Sequence, residues 1–215
     1  MTEEKKKFIN SLLYPVLFVL LIWLIKIIEL LFGFEFTIFG LFPRSISGLT
    51  GILTFPLIHS DVDHLLSNTL PFLLLGTGIF YFYPVSSKKV ILIIYIFTGI
   101  FVWLFARPAF HIGASGLIYG FAAFLFFSGI IRRDTRSITL ALLVTFLYGG
   151  LIWGVLPLDN HVSWEGHLFG GLVGFISAFI FRKSDPYKKY DWEDEPDTPP
   201  DEKPEISYDN SDFFN

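Results

Sequence analysis

The chain has 215 residues, of which 53% are hydrophobic and 19% aromatic, and its formal net charge is −4. This composition is too apolar for a soluble domain of this length and predicts a polytopic membrane protein. The sequence holds no cysteine, which excludes a disulfide framework, a thiol nucleophile and a cysteine metal site. Any chemistry must therefore come from other side chains.

Six stretches are long and apolar enough to be membrane spans, for which about 20 apolar residues are needed. In chain order they cover residues 8–32, 64–84, 89–106, 115–131, 137–155 and 167–181. We therefore predict an all-α membrane protein whose six-helix bundle occupies residues 1–183.

The segment 33–58, between the first two spans, is apolar but contains many helix breakers. These are Gly33, Gly40, Pro43, Gly48, Gly51 and Pro56. Because they interrupt regular helix, we predict a partly membrane-embedded loop that packs against the bundle.

Basic residues indicate the orientation in the membrane. Ten of them flank the predicted cytoplasmic helix ends, and two, Arg44 and Arg107, flank the outer ends. The excess of positive charge on one side predicts cytoplasmic N- and C-termini, and we expect the plasma (inner) membrane. Residues 184–215 hold 11 acidic residues and three lysines. They are predicted to form an acidic, disordered cytoplasmic tail.

All five histidines fall at or beyond the outer helix ends: His59, His64, His111, His161 and His167. Ionisable groups at membrane depth are costly and usually carry function. Ser115 and His167 lie at similar depths, about 25 and 22 Å above the inner boundary at 1.5 Å per residue. A hydroxyl and an imidazole could therefore meet near the outer edge of the bundle.

Such a pair has a known chemical use, because an imidazole that accepts its proton turns a serine hydroxyl into a nucleophile. We predict Ser115 as the nucleophile and His167 as the base. His64 and Asn68 share one face at the start of the second helix and, with the backbone amide of Ser115, could stabilise an oxyanion. Tyr119, one turn after Ser115, could support the base.

Small residues surround Ser115 and recur in the sixth helix. Gly113 leaves room for a substrate backbone at the oxyanion site. Two GxxxG pairs, Gly116 with Gly120 and Gly170 with Gly174, predict close helix packing.

Three motifs together resemble the rhomboid intramembrane serine proteases: "HLLSN" opening the second helix, "GASG" opening the fourth and "HLFGGLVG" opening the sixth. The resemblance covers residues 8–183. It implies a Ser115–His167 dyad without an obligatory third acid, an oxyanion site at His64, Asn68 and the Ser115 amide, and Tyr119 stacked on the catalytic histidine. It also implies that no metal or cofactor is required.

The resemblance further implies cleavage of single-span membrane proteins near the outer face, with entry past the fifth helix and its overlying loop. The expected partners are transmembrane substrates and the lipid bilayer, and no nucleic acid. One departure is visible. Many family members carry a Trp-Arg pair in the first loop, where this chain has Pro43-Arg44 and no tryptophan.

Two other functions remain open from the residues. The outer histidines could bind or transport a metal ion, since imidazole is a good ligand, although no HExxH and no histidine pair at i, i+4 occurs. A non-catalytic rhomboid-like protein could bind membrane helices, although Ser115 and His167 are both retained. His59, His111 and His161 are predicted to be interfacial or structural. Lys26 is expected to pair with Glu29 and to extend outward.

Overall fold

A computed structural model describes residues 1–158 and 162–188 of the chain. Within these ranges the fold is a bundle of six long helices without β-strands, which confirms the predicted all-α class. The helices are α1 (Glu3–Phe32), α2 (Val62–Phe82), α3 (Ser87–Phe105), α4 (Ser115–Arg132), α5 (Thr135–Tyr148) and α6 (Trp164–Ile180). Each overlies one predicted span, and α5 is extended by a 3₁₀ segment, Gly149–Val155.

Five helical segments of the described part have the length and hydropathy needed to cross a membrane, with α5 counted together with its 3₁₀ extension. The sixth helix, α6, is apolar but has only 17 residues. The chain is an integral membrane protein.

Helix α4 is the centre of the bundle. Of its most apolar window 56% is buried inside the protein, compared with 17% for α5 and its extension. The aromatic rings of Phe121 and Phe124 are fully buried there, and Ile94 of α3 packs in the same core. Ser115 therefore begins the most enclosed helix, whereas α5 presents most of its surface to lipid.

Helix ends follow the local sequence. Asp61 caps α2 by accepting the His64 amide at 2.7 Å, and Asp134 caps α5 in the same way through Ser137. Helix α4 begins after Ala114 without a side-chain cap. Its first amides are thus available to a ligand.

The loop between α1 and α2 contains only short helical turns, Phe36–Phe39, Ser47–Leu49, Gly51–Thr54 and Phe55–Leu57. Arg44 anchors it, since its guanidinium donates to the Ala106 carbonyl at 2.8 Å and its amide to the Trp103 carbonyl at 3.0 Å. Trp103 donates back to the Ser45 carbonyl at 3.0 Å. Arg44 and Trp103 thus connect the loop to α3 in both directions.

Lys26 pairs with Glu29 at 2.6 Å, as expected, and its ammonium donates to the carbonyls of His59 and Ser60, each at 3.0 Å, just before the start of α2. It is buried, at 5% exposure, and does not extend into an exposed position. A buried ammonium needs several acceptors, and these carbonyls provide them. Lys26 therefore joins α1 to the segment that precedes α2.

The helical body extends slightly beyond the predicted boundary at residue 183. The Asp185 carboxylate accepts hydrogen bonds from the amides of Val85 and Ser86 at 2.7 and 3.1 Å, and Arg132 donates to the Ser184 carbonyl at 2.6 Å. The first compact unit accordingly ends at Asp185. Most of the second unit, Pro186–Asn215, lies outside the described residues, so the disordered tail stays a prediction.

Candidate active site

A cavity of about 500 Å³ lies where the N-terminal ends of α2, α4 and α6 meet. Five of the predicted site residues line it: His64, Asn68, Ser115, Tyr119 and His167. The partial positive charge of three helix N-termini favours an anion in this space.

Ser115 and His167 are in direct contact across the cavity. The Ser115 hydroxyl lies 2.8 Å from Nε2 of His167, and Nδ1 of His167 lies 2.8 Å from the Gly154 carbonyl oxygen. A carbonyl can only accept a hydrogen bond, so Nδ1 carries the proton. Nε2 of the neutral ring then accepts the hydrogen bond from the Ser115 hydroxyl. This is the arrangement of a nucleophile with its general base.

Tyr119 supports the imidazole from one face. Its ring lies 4.1 Å from the His167 ring, centroid to centroid, with an interplanar angle of 3°. Gly154 allows this approach, because a Cβ at that position would collide with the Tyr119 hydroxyl. The ring of His167 is thus fixed by one stack and one hydrogen bond.

Gly113 has a backbone conformation and surroundings that exclude a side chain. Its φ is +106°, and a Cβ there would lie 2.8 Å from Nε2 of His64. The His64 ring therefore faces the backbone just before Ser115. Asn68 is buried at 3% exposure, and its amide group donates to the His64 carbonyl at 2.7 Å, leaving a second N–H for another acceptor.

Ser60 and Asp61 orient the His64 ring from the other side. The Ser60 hydroxyl lies 2.6 Å from the Asp61 carboxylate and 3.2 Å from Nδ1 of His64. Hydrogen bonds from the Ser60 hydroxyl and the His64 amide lower the pKa of Asp61, so the carboxylate stays ionised at neutral pH. The Asp61 carboxylate accepts the hydrogen bond from the Ser60 hydroxyl, so Nδ1 of His64 must donate to the Ser60 oxygen.

His59 is buried beside this group, with its ring 5.0 Å from that of His64. Burial and the neighbouring His64 lower its pKa to about 3, so the ring is neutral. Its Nε2 accepts the Ala114 amide at 3.4 Å. His59 thus contacts the turn before Ser115.

The predicted glycine pairs lie at the contact between α4 and α6. A Cβ at Gly170 would collide with the Gly116 carbonyl, and a Cβ at Gly174 would collide with the Gly120 carbonyl. Only glycine permits this separation, which sets the distance between the helices that carry Ser115 and His167.

Three groups at this site were not predicted from the sequence: the Gly154 carbonyl, Ser60 and Ser163, of which Ser60 and Ser163 line the cavity. Gly154 contributes a main-chain atom, for which no residue pattern exists. Ser60 precedes the capping Asp61, and Ser163 lies four residues before His167. The signals available in the sequence were the position of Ser60 next to a helix cap and the position of Ser163 one turn before a candidate base.

The metal-binding alternative finds little support in this geometry. In residues 1–158 and 162–188 no three His, Asp or Glu side chains are grouped so that they could hold a metal ion. His161 lies outside the described residues. Among the described histidines, His59, His64, His111 and His167 instead have separate hydrogen-bond partners.

Comparison with known proteins shows the family of the sequence. The family model described as "Rhomboid domain" matches residues 47–184, which include α2 to α6 and every predicted site residue. Proteins of Mycobacterium tuberculosis and Mycobacterium bovis are each 36% identical over 177 residues, covering 76% of this chain and 72% of the relative. A Mycobacterium leprae protein is 33% identical, covering 76% of this chain and 68% of the relative. All three are named as uncharacterized proteins.

Proposed function

Because the chain belongs to the rhomboid family, whose members are generally intramembrane serine proteases, we propose that it is an intramembrane serine endopeptidase with a Ser115–His167 dyad. The observation that carries the proposal is the 2.8 Å contact between the Ser115 hydroxyl and Nε2 of His167. The Gly154 carbonyl, which holds the proton on the other ring nitrogen, supports the same assignment.

The first chemical step transfers the Ser115 proton to Nε2 of His167 while the serine oxygen attacks the scissile carbonyl. The imidazolium then protonates the leaving amine, and the peptide C–N bond breaks to give an acyl-enzyme. Water hydrolyses this ester by the same proton transfers in reverse, which returns Ser115 and neutral His167. The Gly154 carbonyl and the Tyr119 ring hold the imidazole in place throughout.

The developing oxyanion binds among donors of three residues that line the cavity. These are the Ser115 amide at the uncapped start of α4, the second N–H of Asn68, and Nε2 of His64 when that ring is protonated. Gly113 keeps a side chain out of this space. A lost oxyanion donor typically costs about 2.7–4 kcal/mol of transition-state stabilisation.

The substrates are single-span membrane proteins that are cleaved near the outer face. The scissile carbonyl of an intact helix is bonded within that helix, so the substrate must unwind locally before Ser115 can reach it. Small or helix-weakening residues near the outer end of the substrate span favour this step. Entry past α5 is consistent with the 17% burial of α5 and its extension, the lowest value among the five spanning segments of the described part.

The protein acts with cytoplasmic N- and C-termini, in the plasma (inner) membrane. The support for this orientation is the excess of basic residues at one end of the helices. The cavity then lies at the outer end of the bundle, where water reaches the acyl-enzyme.

A non-catalytic, helix-binding role is the alternative within the family. It does not account for the hydrogen bond between Ser115 and His167 or for the stacked Tyr119. A protein that only binds helices needs neither.

Reconstitution in proteoliposomes tests the proposal. A panel of fluorescently labelled single-span proteins is incubated with the wild type, Ser115→Ala and His167→Ala. We expect cleavage by the wild type and a loss of at least about 10³-fold in both variants. Equal cleavage by all three proteins would refute the dyad, and inhibition by a chelator that zinc reverses would point to metal chemistry.

A further inference from the structure

A second hydrogen-bonded Ser–His pair lies beside the dyad. Nδ1 of His111 is 2.6 Å from the Ser163 hydroxyl. His111 stands four residues before Ser115, and Ser163 stands four residues before His167. The segment that leads into α4 and the segment that leads into α6 are therefore joined by two Ser–His hydrogen bonds. The α4 side contributes the histidine to one of them and the serine to the other.

The hydrogen bonds of His111 fix its protonation pattern. Its Nε2 lies 3.1 Å from the Arg107 carbonyl oxygen, which can only accept, so Nε2 carries the proton. Nδ1 then accepts the Ser163 hydroxyl proton. His111 is 2% exposed, and burial lowers its pKa, in keeping with a neutral ring.

Both ends of this contact are held by the backbone. His111 and Leu41 exchange two main-chain hydrogen bonds of 2.8 and 3.0 Å, and the Gly113 amide donates to the Phe55 carbonyl at 2.9 Å. On the other side, Ser163 precedes the first residue of α6, and its carbonyl accepts the His167 amide at 3.3 Å. The contact thus connects the anchored turn before Ser115 to the first turn of the helix that carries His167.

The close main-chain packing of α4 and α6 reaches the first turn of α6, since a Cβ at Gly116 would lie 3.1 Å from the Gly166 carbonyl oxygen. Ser163 lies just before this turn, where the side-chain contacts of His111 and Arg107 continue the junction. Arg107 also spans this junction: its guanidinium lies 3.7 Å from the Glu165 carboxylate and donates to the Val162 carbonyl at 2.8 Å, and its amide donates to Glu165 at 3.3 Å. The His111–Ser163 hydrogen bond, at 2.6 Å, is shorter than each of these contacts.

We propose that His111 and Ser163 are positioning residues for the cleavage reaction, whose hydrogen bond keeps the first turn of α6 at the distance at which His167 meets Ser115. The inference rests on the proposed protease function. Neither residue touches the reacting atoms in this arrangement. A displacement of about 1 Å at a reacting pair can lower a rate about 10²-fold, so loss of this bond should lower turnover.

The test compares Ser163→Ala with Ser163→Thr, which keeps a hydroxyl, in the full-length protein. A fluorescent alkyl fluorophosphonate reports on Ser115, because the serine oxygen displaces fluoride from phosphorus while His167 takes the proton. Its saturation kinetics separate the maximal rate of reaction from the affinity for the probe. Ser47→Ala, in an exposed turn of the first loop, is the matched control.

We expect Ser163→Ala to lower the maximal rate about 10- to 100-fold with affinity changed less than about twofold. Ser163→Thr should stay within about threefold of the wild type. The double variant His111→Ala/Ser163→Ala should be no slower than the slower single variant, because both remove one contact. Melting temperatures in detergent show which variants fold. If His111→Ala does not fold, the comparison of Ser163→Ala with Ser163→Thr still tests the proposal.

Three results would overturn the inference while leaving the proposed function intact: a wild-type rate in Ser163→Ala, an equal loss in Ser163→Ala and Ser163→Thr, or labelling of Ser163 in a Ser115→Ala protein. The last would make Ser163 a second nucleophile. A wild type that neither reacts at Ser115 nor cleaves substrates would overturn the proposed function and this inference together.

Discussion

At the scale of single residues, the site depends on which nitrogen of each histidine carries a proton. A main-chain carbonyl decides this for His167 and His111, and the Ser60–Asp61 pair decides it for His64. Since each imidazole has one nitrogen committed to a fixed partner, the other nitrogen has a defined role. The consequences can be tested one side chain at a time.

His64 should assist the oxyanion only as an imidazolium. Its Nδ1 already donates to Ser60, so a neutral ring presents a bare Nε2 to the cavity and cannot donate there. We therefore expect the ratio of kcat/KM between the wild type and His64→Ala to be larger near pH 5 than near pH 8, the range in which histidine usually changes charge. A ratio that is constant across this range would show that His64 donates in its neutral form.

Tyr119 should act through its ring. Tyr119→Phe keeps the stack on His167 and should retain kcat within about twofold, whereas Tyr119→Ala should lower kcat about tenfold or more by releasing the imidazole. KM should change little, because the ring supports the base. Steady-state kinetics of the two variants measure the difference, and equal losses would instead assign the effect to the hydroxyl.

At the scale of helices, the contact between α4 and α6 sets the distance between Ser115 and His167, the proposed nucleophile and base. Gly170 and Gly171 offer a matched comparison. A Cβ at Gly170 would collide with the Gly116 carbonyl, and a Cβ at Gly171 meets nothing within 4 Å. The two positions are adjacent in α6 and differ only in the face that they occupy.

Gly170→Ala should destabilise the bundle by about 1–3 kcal/mol and reduce activity, because α6 must move away from Ser115. Gly171→Ala should be neutral or stabilise by up to about 1 kcal/mol, because alanine favours helix over glycine. Unfolding in mixed micelles and turnover in proteoliposomes check both expectations. Similar effects at the two positions would contradict the account of the contact.

The sequence predicted the helices and the meeting of their outer ends, because hydropathy, glycine spacing and basic residues are all local signals. It did not predict the partners of His167 and Lys26, which are the main-chain carbonyls of Gly154, His59 and Ser60. A carbonyl has no residue identity, so no pattern reveals it. Similarly, His111 and Ser163 are 52 residues apart and meet only in the folded chain.

At the scale of the whole molecule, the charges at the helix ends predict the orientation in the membrane. The chain contains no cysteine, so single cysteines can be introduced without removing others. Ser47 lies in the first loop and Val85 in the turn between α2 and α3, and both are exposed. They are predicted to lie on opposite sides of the membrane.

In intact cells, a membrane-impermeant maleimide should label Ser47→Cys at once and Val85→Cys only after permeabilisation. The physical reason is the preference of basic residues for the cytoplasmic side. The reverse pattern would place the active-site cavity on the cytoplasmic face and would overturn the proposed site of cleavage.

The central claim is that Ser115 is a nucleophile activated by His167. The most direct measurement is mass spectrometry of the full-length protein after reaction with a fluorophosphonate. The account predicts one phosphonyl group on the wild type, mapped to Ser115, and none on Ser115→Ala or His167→Ala. A wild type that stays unmodified, or whose label maps to another residue, would contradict it.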